Sequence, residues 1–176
     1  MVIFTNYCLF LKFTVVVFFV FDYNRQENIF EAIQRYHCIR MEDKMEIVCL
    51  DLEGVLVPEI WIAFAEESGI PELKRTTRDE PDYDKLMHWR LGILKEHGLG
   101  LKEIQETISK IEPLEGAKAF LDKLRELTQV IIISDTFTQF AGPLMKKLGY
   151  PTIFCNSLEV APDGEITGFK MRCENS

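Results

Sequence analysis

The chain has 176 residues, 47% of them hydrophobic, with a formal net charge of -8, which suffices for one core and one domain with room for an inserted lobe. Residues 1–44 carry five basic and five acidic side chains, so the whole acidic excess, 15 basic against 23 acidic, falls in residues 45–176. Such a balance argues against nucleic-acid binding, which needs a basic footprint, and leaves any positive charge in a site to placed side chains or a metal ion. The five cysteines (Cys8, Cys38, Cys49, Cys155, Cys173) are odd in number and show no Cys-x-x-Cys spacing, so they read as reduced, small hydrophobic residues of a cytoplasmic protein. His37, His88 and His97 make no ligand spacing with them, and a zinc site is not expected.

Residues 1–21 are strongly apolar and aromatic, with Lys12 as the one basic residue. A signal peptide would show a basic start and a small-residue cleavage site, and neither is visible. A membrane anchor would place Lys12 inside the span without a flanking basic cluster. The favoured expectation is that residues 1–44 form an upstream extension outside the main fold, and the membrane anchor is the alternative.

Residues 45–50 then read as a buried strand, apolar and rich in β-branched side chains, that ends on Asp51, Glu53 and Gly54. Two carboxylates at the carboxyl end of a strand occupy the crevice where open α/β sheets bind ligands, and Gly54 permits a tight turn with exposed amides. The plainer alternative is a polar loop whose acids cap the next helix. From Glu59 to Ser109 apolar residues recur at three- and four-residue steps (Ile60, Phe64, Leu86, Trp89, Ile93, Leu94, Leu101, Ile104, Ile108), with breaks at 69–71, 78–81 and 98–100. This predicts three or four short helices forming an inserted cap, or a supporting helical hairpin.

After Pro113-Leu114-Glu115-Gly116, the spacing predicts a helix over 117–127, a strand over 130–133 that ends on Ser134, Asp135 and Thr136, and a helix over 137–148 stopped by Gly149 and Pro151. A strand over 152–155 follows, and Pro162-Asp163-Gly164 signals a hairpin between 158–160 and 165–171. Strands alternating with helices predict an α/β fold with a Rossmann-like parallel sheet, incomplete at its C-terminal end, carrying an inserted helical cap. The expected division is 45–58 with 112–176 for the core and 59–111 for the cap.

An aspartate at one strand tip, an acid two residues on and a serine at the next strand tip resemble the first two motifs of the haloacid dehalogenase superfamily. Thr77-Arg78-Asp79, Pro81-Asp82-Tyr83-Asp84, the Arg90 helix, Pro113 to Ala117 and Ile133 to Phe137 narrow the resemblance to phosphoserine phosphatases. The similarity is greatest to the bacterial bifunctional type that also transfers phosphate to homoserine, in which Glu53 stands where most of the superfamily has Asp. It extends from Met45 to about Arg172.

The resemblance implies that Asp51 is the nucleophile, forming an aspartyl phosphate, and that Glu53 is the acid and base. It implies that Mg2+ is held by Asp51 and the Glu53 carbonyl, and that Ser134 with the amides of Asp135 and Thr136 holds the phosphoryl group. Glu59 and Arg90 are implied contacts for the amino and carboxylate groups of phosphoserine, with an ordinary solvated acid and a helical salt bridge as the plainer alternatives; Arg75 and Arg78 are secondary candidates. Homoserine as a second acceptor and a homodimer complete the implied partners.

The chain departs from the family after Ser134. The later lysine and the Gly-Asp-x-x-x-Asp loop that complete the family's site are absent from the sequence, and Lys170 is the one substitute in view. Three expectations therefore stand: a phosphoserine phosphatase or phosphotransferase truncated at its C-terminal end and weak or inactive as it stands, a non-catalytic binding or regulatory remnant, and a membrane-anchored protein.

Overall fold

The computed structural model describes residues 47–173 in full, and the backbone of three strands that precede or include their start: β1 (Val2–Tyr7), β2 (Phe13–Phe19) and β3 (Met45–Leu50). Four of the residues named above, Cys8, Lys12, His37 and Cys38, lie outside the described residues. Among the described residues no helix is long and apolar enough to cross a membrane, and Cys49, Cys155 and Cys173 are free thiols, the first two buried.

The sheet has the order β1-β2-β3-β4-β5-β6, where β4 is Gln129–Phe137, β5 is Thr152–Val160 and β6 is Ile166–Lys170. Strands β2 to β5 run parallel, and β1 and β6 close the two ends antiparallel. The backbone of β2 pairs with β3 in register from Phe13↔Met45 to Phe18↔Leu50. Residues 1–44 were expected outside the fold; instead their two strands extend the sheet. The physical reason is that an unpaired β3 would present a row of open N–H and C=O groups, and the valine- and phenylalanine-rich stretch 13–19 has high strand propensity to pair with them.

Two strands run further than periodicity suggested. β4 continues through Ser134, Asp135 and Thr136 to Phe137, with a register shift before Phe137 pairs with Asn156. β5 joins the segments 152–155 and 158–160 into one strand, and the expected hairpin to β6 forms around Pro162-Asp163-Gly164 with Glu159 opposite Gly168. Polar residues inside β4 hid its extension, because alternation of exposed and buried positions there is carried by Ser134 and Thr136 rather than by aliphatic residues.

One sheet face is packed by α4 (Ala117–Leu127) and α5 (Thr138–Lys147), which bury Leu121, Leu124, Phe140 and Leu144 with Val48, Leu50 and Ile132 in one continuous cluster. Between β3 and α4 stand α1 (Ile60–Ser68), a short 3-10 turn (Pro71–Lys74), α2 (Tyr83–Glu96) and α3 (Leu101–Ile108), the helical insertion read from the sequence. The strands leaving and re-entering the insertion are tied by the Leu114 amide donating to the Leu56 carbonyl at 2.9 Å. Aromatic rings join insertion to core: Trp61 of α1 meets Phe140 edge-on at 5.6 Å, and Phe140 meets Phe137 at 5.6 Å.

Phe140 is 1% exposed and central to that joint. Phe140→Ala is expected to lower stability by about 3 to 5 kcal/mol through lost burial and the cavity left behind, read as a drop in the urea unfolding midpoint.

Candidate active site

Glycine geometry shapes the first strand tip. Gly54 has φ of +73°, where a side chain would be strained, and its amide donates to the Val57 carbonyl at 2.7 Å, so the chain folds back over residues 52–57 directly after β3. That turn keeps Asp51 and Glu53 at the strand end. The Glu53 carboxylate accepts from the amide of Ile60, the first residue of α1, at 2.9 Å, so it caps the cap's first helix while facing the sheet.

The second tip lies alongside. The Thr136 amide donates to Ser134 Oγ at 3.3 Å, and both residues are buried. Asp51 sits beside the Ser134 hydroxyl and near Asp135: burial raises its pKa, the Leu52 amide opposes this, Asp135 raises it further and Ser134 lowers it. The Glu53 pKa is pushed up to about 7, chiefly by burial; the Ile60 amide works against the shift, Asp51 adds to it, and the neighbouring Thr136 hydroxyl and Glu59 act in opposite directions. An acid of this kind is available both to give and to accept a proton near neutrality.

Arg90 approaches from α2. It is 5% exposed, lies over the Trp61 ring at 4.5 Å, and donates through Nη2 to the Arg75 carbonyl at 2.7 Å. Among the described residues no carboxylate forms a salt bridge with it, and its Nε has no hydrogen-bond partner. Burial lowers its pKa to about 10, against the raising influence of Tyr83, Glu53 and Glu59. Among the described residues the helical salt bridge considered for Arg90 thus does not form, which leaves a buried guanidinium at a cost. Glu59, half-buried at the start of α1, belongs to the same electrostatic cluster.

All seven residues expected in the site, Asp51, Glu53, Glu59, Arg90, Ser134, Asp135 and Thr136, thus converge between the two strand tips and the cap. The secondary candidates do not join them: the Arg75 guanidinium stacks on Trp89 at 5.2 Å and faces Glu80 at 3.7 Å, and Arg78 is exposed beside Asp79. Lys170 is exposed at the end of β6, opposite Ser157. Sequence reasoning missed Trp61, Tyr83 and Asn156, which contact these residues from α1, α2 and β5. Their one sequence signal was position: a tryptophan two residues after Glu59, and a tyrosine inside the quoted Pro81-Asp82-Tyr83-Asp84.

Magnesium binds through one or two carboxylates and keeps waters and phosphate oxygens as its other ligands. Asp51 and the Glu53 carbonyl, with Asp135 nearby, fit that modest donor set, although no group of three or more acidic, histidine or cysteine side chains fit to hold a metal ion occurs among the described residues.

Fold and site define a capped α/β protein of haloacid dehalogenase type. No family model matches the chain, but individual relatives do. It is 61% identical over 128 residues to the phosphoserine phosphatase ThrH of Pseudomonas aeruginosa, covering 73% of this chain and 62% of the relative, and 57% identical over 131 residues to a phosphoserine phosphatase of Pseudomonas syringae pv. tomato, covering 74% and 55%. Among solved structures, a substrate-bound phosphoserine phosphatase complex shares the fold at TM-score 0.60 with 23% identity, over 74% of this chain and 64% of that one. A phospho-aspartyl intermediate analogue of phosphoserine phosphatase also matches at 0.60, with 24% identity over 73% and 64%. The chain is similar to these phosphoserine phosphatases over 128 to 131 residues and spans about three-fifths of their length.

The Glu53 shift has a signed consequence. An acid whose folded pKa, about 7, exceeds its ordinary value of 4.5 stabilises the fold fully below about pH 4.5 and loses that contribution as pH rises through 7. Metal-free Glu53→Gln protein is therefore expected to lose less stability than wild type between about pH 5 and pH 8. Urea midpoints in EDTA measure this, and equal losses would show that Glu53 is not held in the shifted state.

Proposed function

We propose that the chain is a phosphoserine phosphatase, hydrolysing O-phospho-L-serine to L-serine and phosphate through an aspartyl phosphate, with homoserine as a second acceptor. The observation that carries this reading is the pairing of Asp51 and Glu53 with Ser134 and Thr136 across adjacent strand tips, under a buried Arg90 that lacks an anion. The core is 45–58 with 112–176, the cap is 59–111, and residues 1–44 supply none of the chemistry.

In the proposed reaction an Asp51 carboxylate oxygen attacks phosphorus as the bond from phosphorus to the serine oxygen breaks. Glu53, protonated in part near neutral pH, gives its proton to that leaving oxygen. Glu53 then removes a proton from water, or from the homoserine hydroxyl, as the new oxygen attacks phosphorus and releases the Asp51 carboxylate. The Ser134 hydroxyl and the Thr136 amide hold phosphoryl oxygens where charge spreads during transfer. Arg90 takes the substrate carboxylate in its planar fork, and Glu59 takes the ammonium. Bound Mg2+ would supply charge neutralisation at the phosphoryl oxygens, held by Asp51 and the Glu53 carbonyl. A family member with reduced cysteines and this acidic balance fits the cytoplasm.

A second reading, a phosphoserine-binding domain with little turnover, is favoured by the sparse metal donor set. The expected outcome is phosphate release from phosphoserine that requires magnesium and Asp51, measured against Asp51→Asn. No release above that control, with retained phosphoserine binding by calorimetry, would favour the second reading.

Arg90→Ala is expected to raise the KM for phosphoserine while changing activity on p-nitrophenyl phosphate little, since only the former carries a carboxylate. Equal losses on both substrates would assign Arg90 a purely structural role.

A further inference from the structure

One of the contacts between cap and core converges on a single carbonyl. The Asp135 oxygen, at the tip of β4, accepts from the Tyr83 hydroxyl at 3.2 Å and from Asn156 Nδ2 at 3.0 Å. Both donors are held in place. Asn156 is 4% exposed, and its amide oxygen accepts from the Arg172 amide at 2.9 Å, which turns Nδ2 toward Asp135. Tyr83, the first residue of α2, rests edge-on against Phe169 of β6 at 6.1 Å, and Phe169 in turn meets Phe137 at 6.4 Å and His88 at 5.5 Å.

The peptide after Asp135 is trans, so its carbonyl and the following amide point in opposite directions. Two donors on the carbonyl therefore fix the aim of the Thr136 amide, which lies toward Ser134 Oγ. One donor belongs to the core and the other to the cap. A cap lifted from the core would take its hydroxyl away and leave that peptide held from one side only.

We infer that Tyr83 is a positioning residue for phosphoryl transfer: its hydroxyl orients the peptide between Asp135 and Thr136, so that the phosphoryl cradle of Ser134 and Thr136 is complete only with the cap seated. The inference rests on the proposed role of Ser134 and Thr136 in holding the phosphoryl group. It assigns the cap a task beyond covering the site, since seating the cap also completes the cradle. The effect falls on the part common to every phosphate ester, unlike that of Arg90.

The test is Tyr83→Phe, which keeps the ring on Phe169 and removes only the donor. A hydrogen bond of net worth about 0.5 to 1.5 kcal/mol corresponds to roughly 2-fold to 10-fold, so hydrogen exchange of the Thr136 amide, followed by NMR, is expected to quicken by that factor. With magnesium present, kcat should fall by a similar factor on phosphoserine and on p-nitrophenyl phosphate alike, whereas Lys85→Ala, an exposed change on the same helix, should alter neither reading. If wild type turns over and Tyr83→Phe leaves exchange unchanged, the inference fails while the proposed function stands, even if kcat falls, because Tyr83 would then act elsewhere. A kcat loss confined to phosphoserine would equally overturn it. If wild type shows no turnover, the proposed function fails, and the exchange rate alone decides whether Tyr83 orients the peptide.

Discussion

Two carboxylates set two residues apart at the end of a buried strand are the constraint on which this structure depends. Burial raises the pKa of both Asp51 and Glu53, with Asp135 adding to the first shift and Asp51 to the second, so the surrounding elements must offer donors to offset the cost. The amides of Leu52 and Ile60 and the hydroxyl of Ser134 do so. Each comes from a different place in the chain, and each fixes a segment: the turn after β3, the first turn of α1, the tip of β4. The fold is assembled around the electrostatic needs of its acids.

The same logic explains the cap. A cap held only by apolar contact would cover the site without shaping it, but here α1 begins on Glu53 and α2 begins with the tyrosine that reaches Asp135. Arg90 brings a positive charge into a cluster otherwise composed of acids, and its cost of burial is borne by the Trp61 face and a backbone carbonyl until an anion arrives.

Much of this was legible in the sequence because the relevant signals are local. A short β-branched run ending in Asp51, Glu53 and Gly54, and another ending in Ser134, mark two strand tips by composition, and helical periodicity between them marks an insertion. What was not legible involved partners far apart in the chain. Tyr83 and Asn156 look like an ordinary helix start and an ordinary strand residue until the fold brings both to the Asp135 carbonyl, 52 and 21 residues away. The pairing of residues 13–19 with β3 was missed for the same reason, since an apolar run does not state which edge it joins.

By itself, then, the sequence determined the alternation of strands and helices, the two acid- and hydroxyl-bearing strand tips and the candidate residues, because these follow from side-chain period and residue chemistry within a few positions. Tertiary structure decided that Arg90 is buried without a salt bridge among the described residues, while Arg75 is engaged with Trp89 and Glu80. It also decided that Glu53 is raised to about 7 and that Tyr83 of the helical insertion donates to the tip of β4. Burial and the direction of a dipole are properties of an assembled environment, and a linear pattern carries neither.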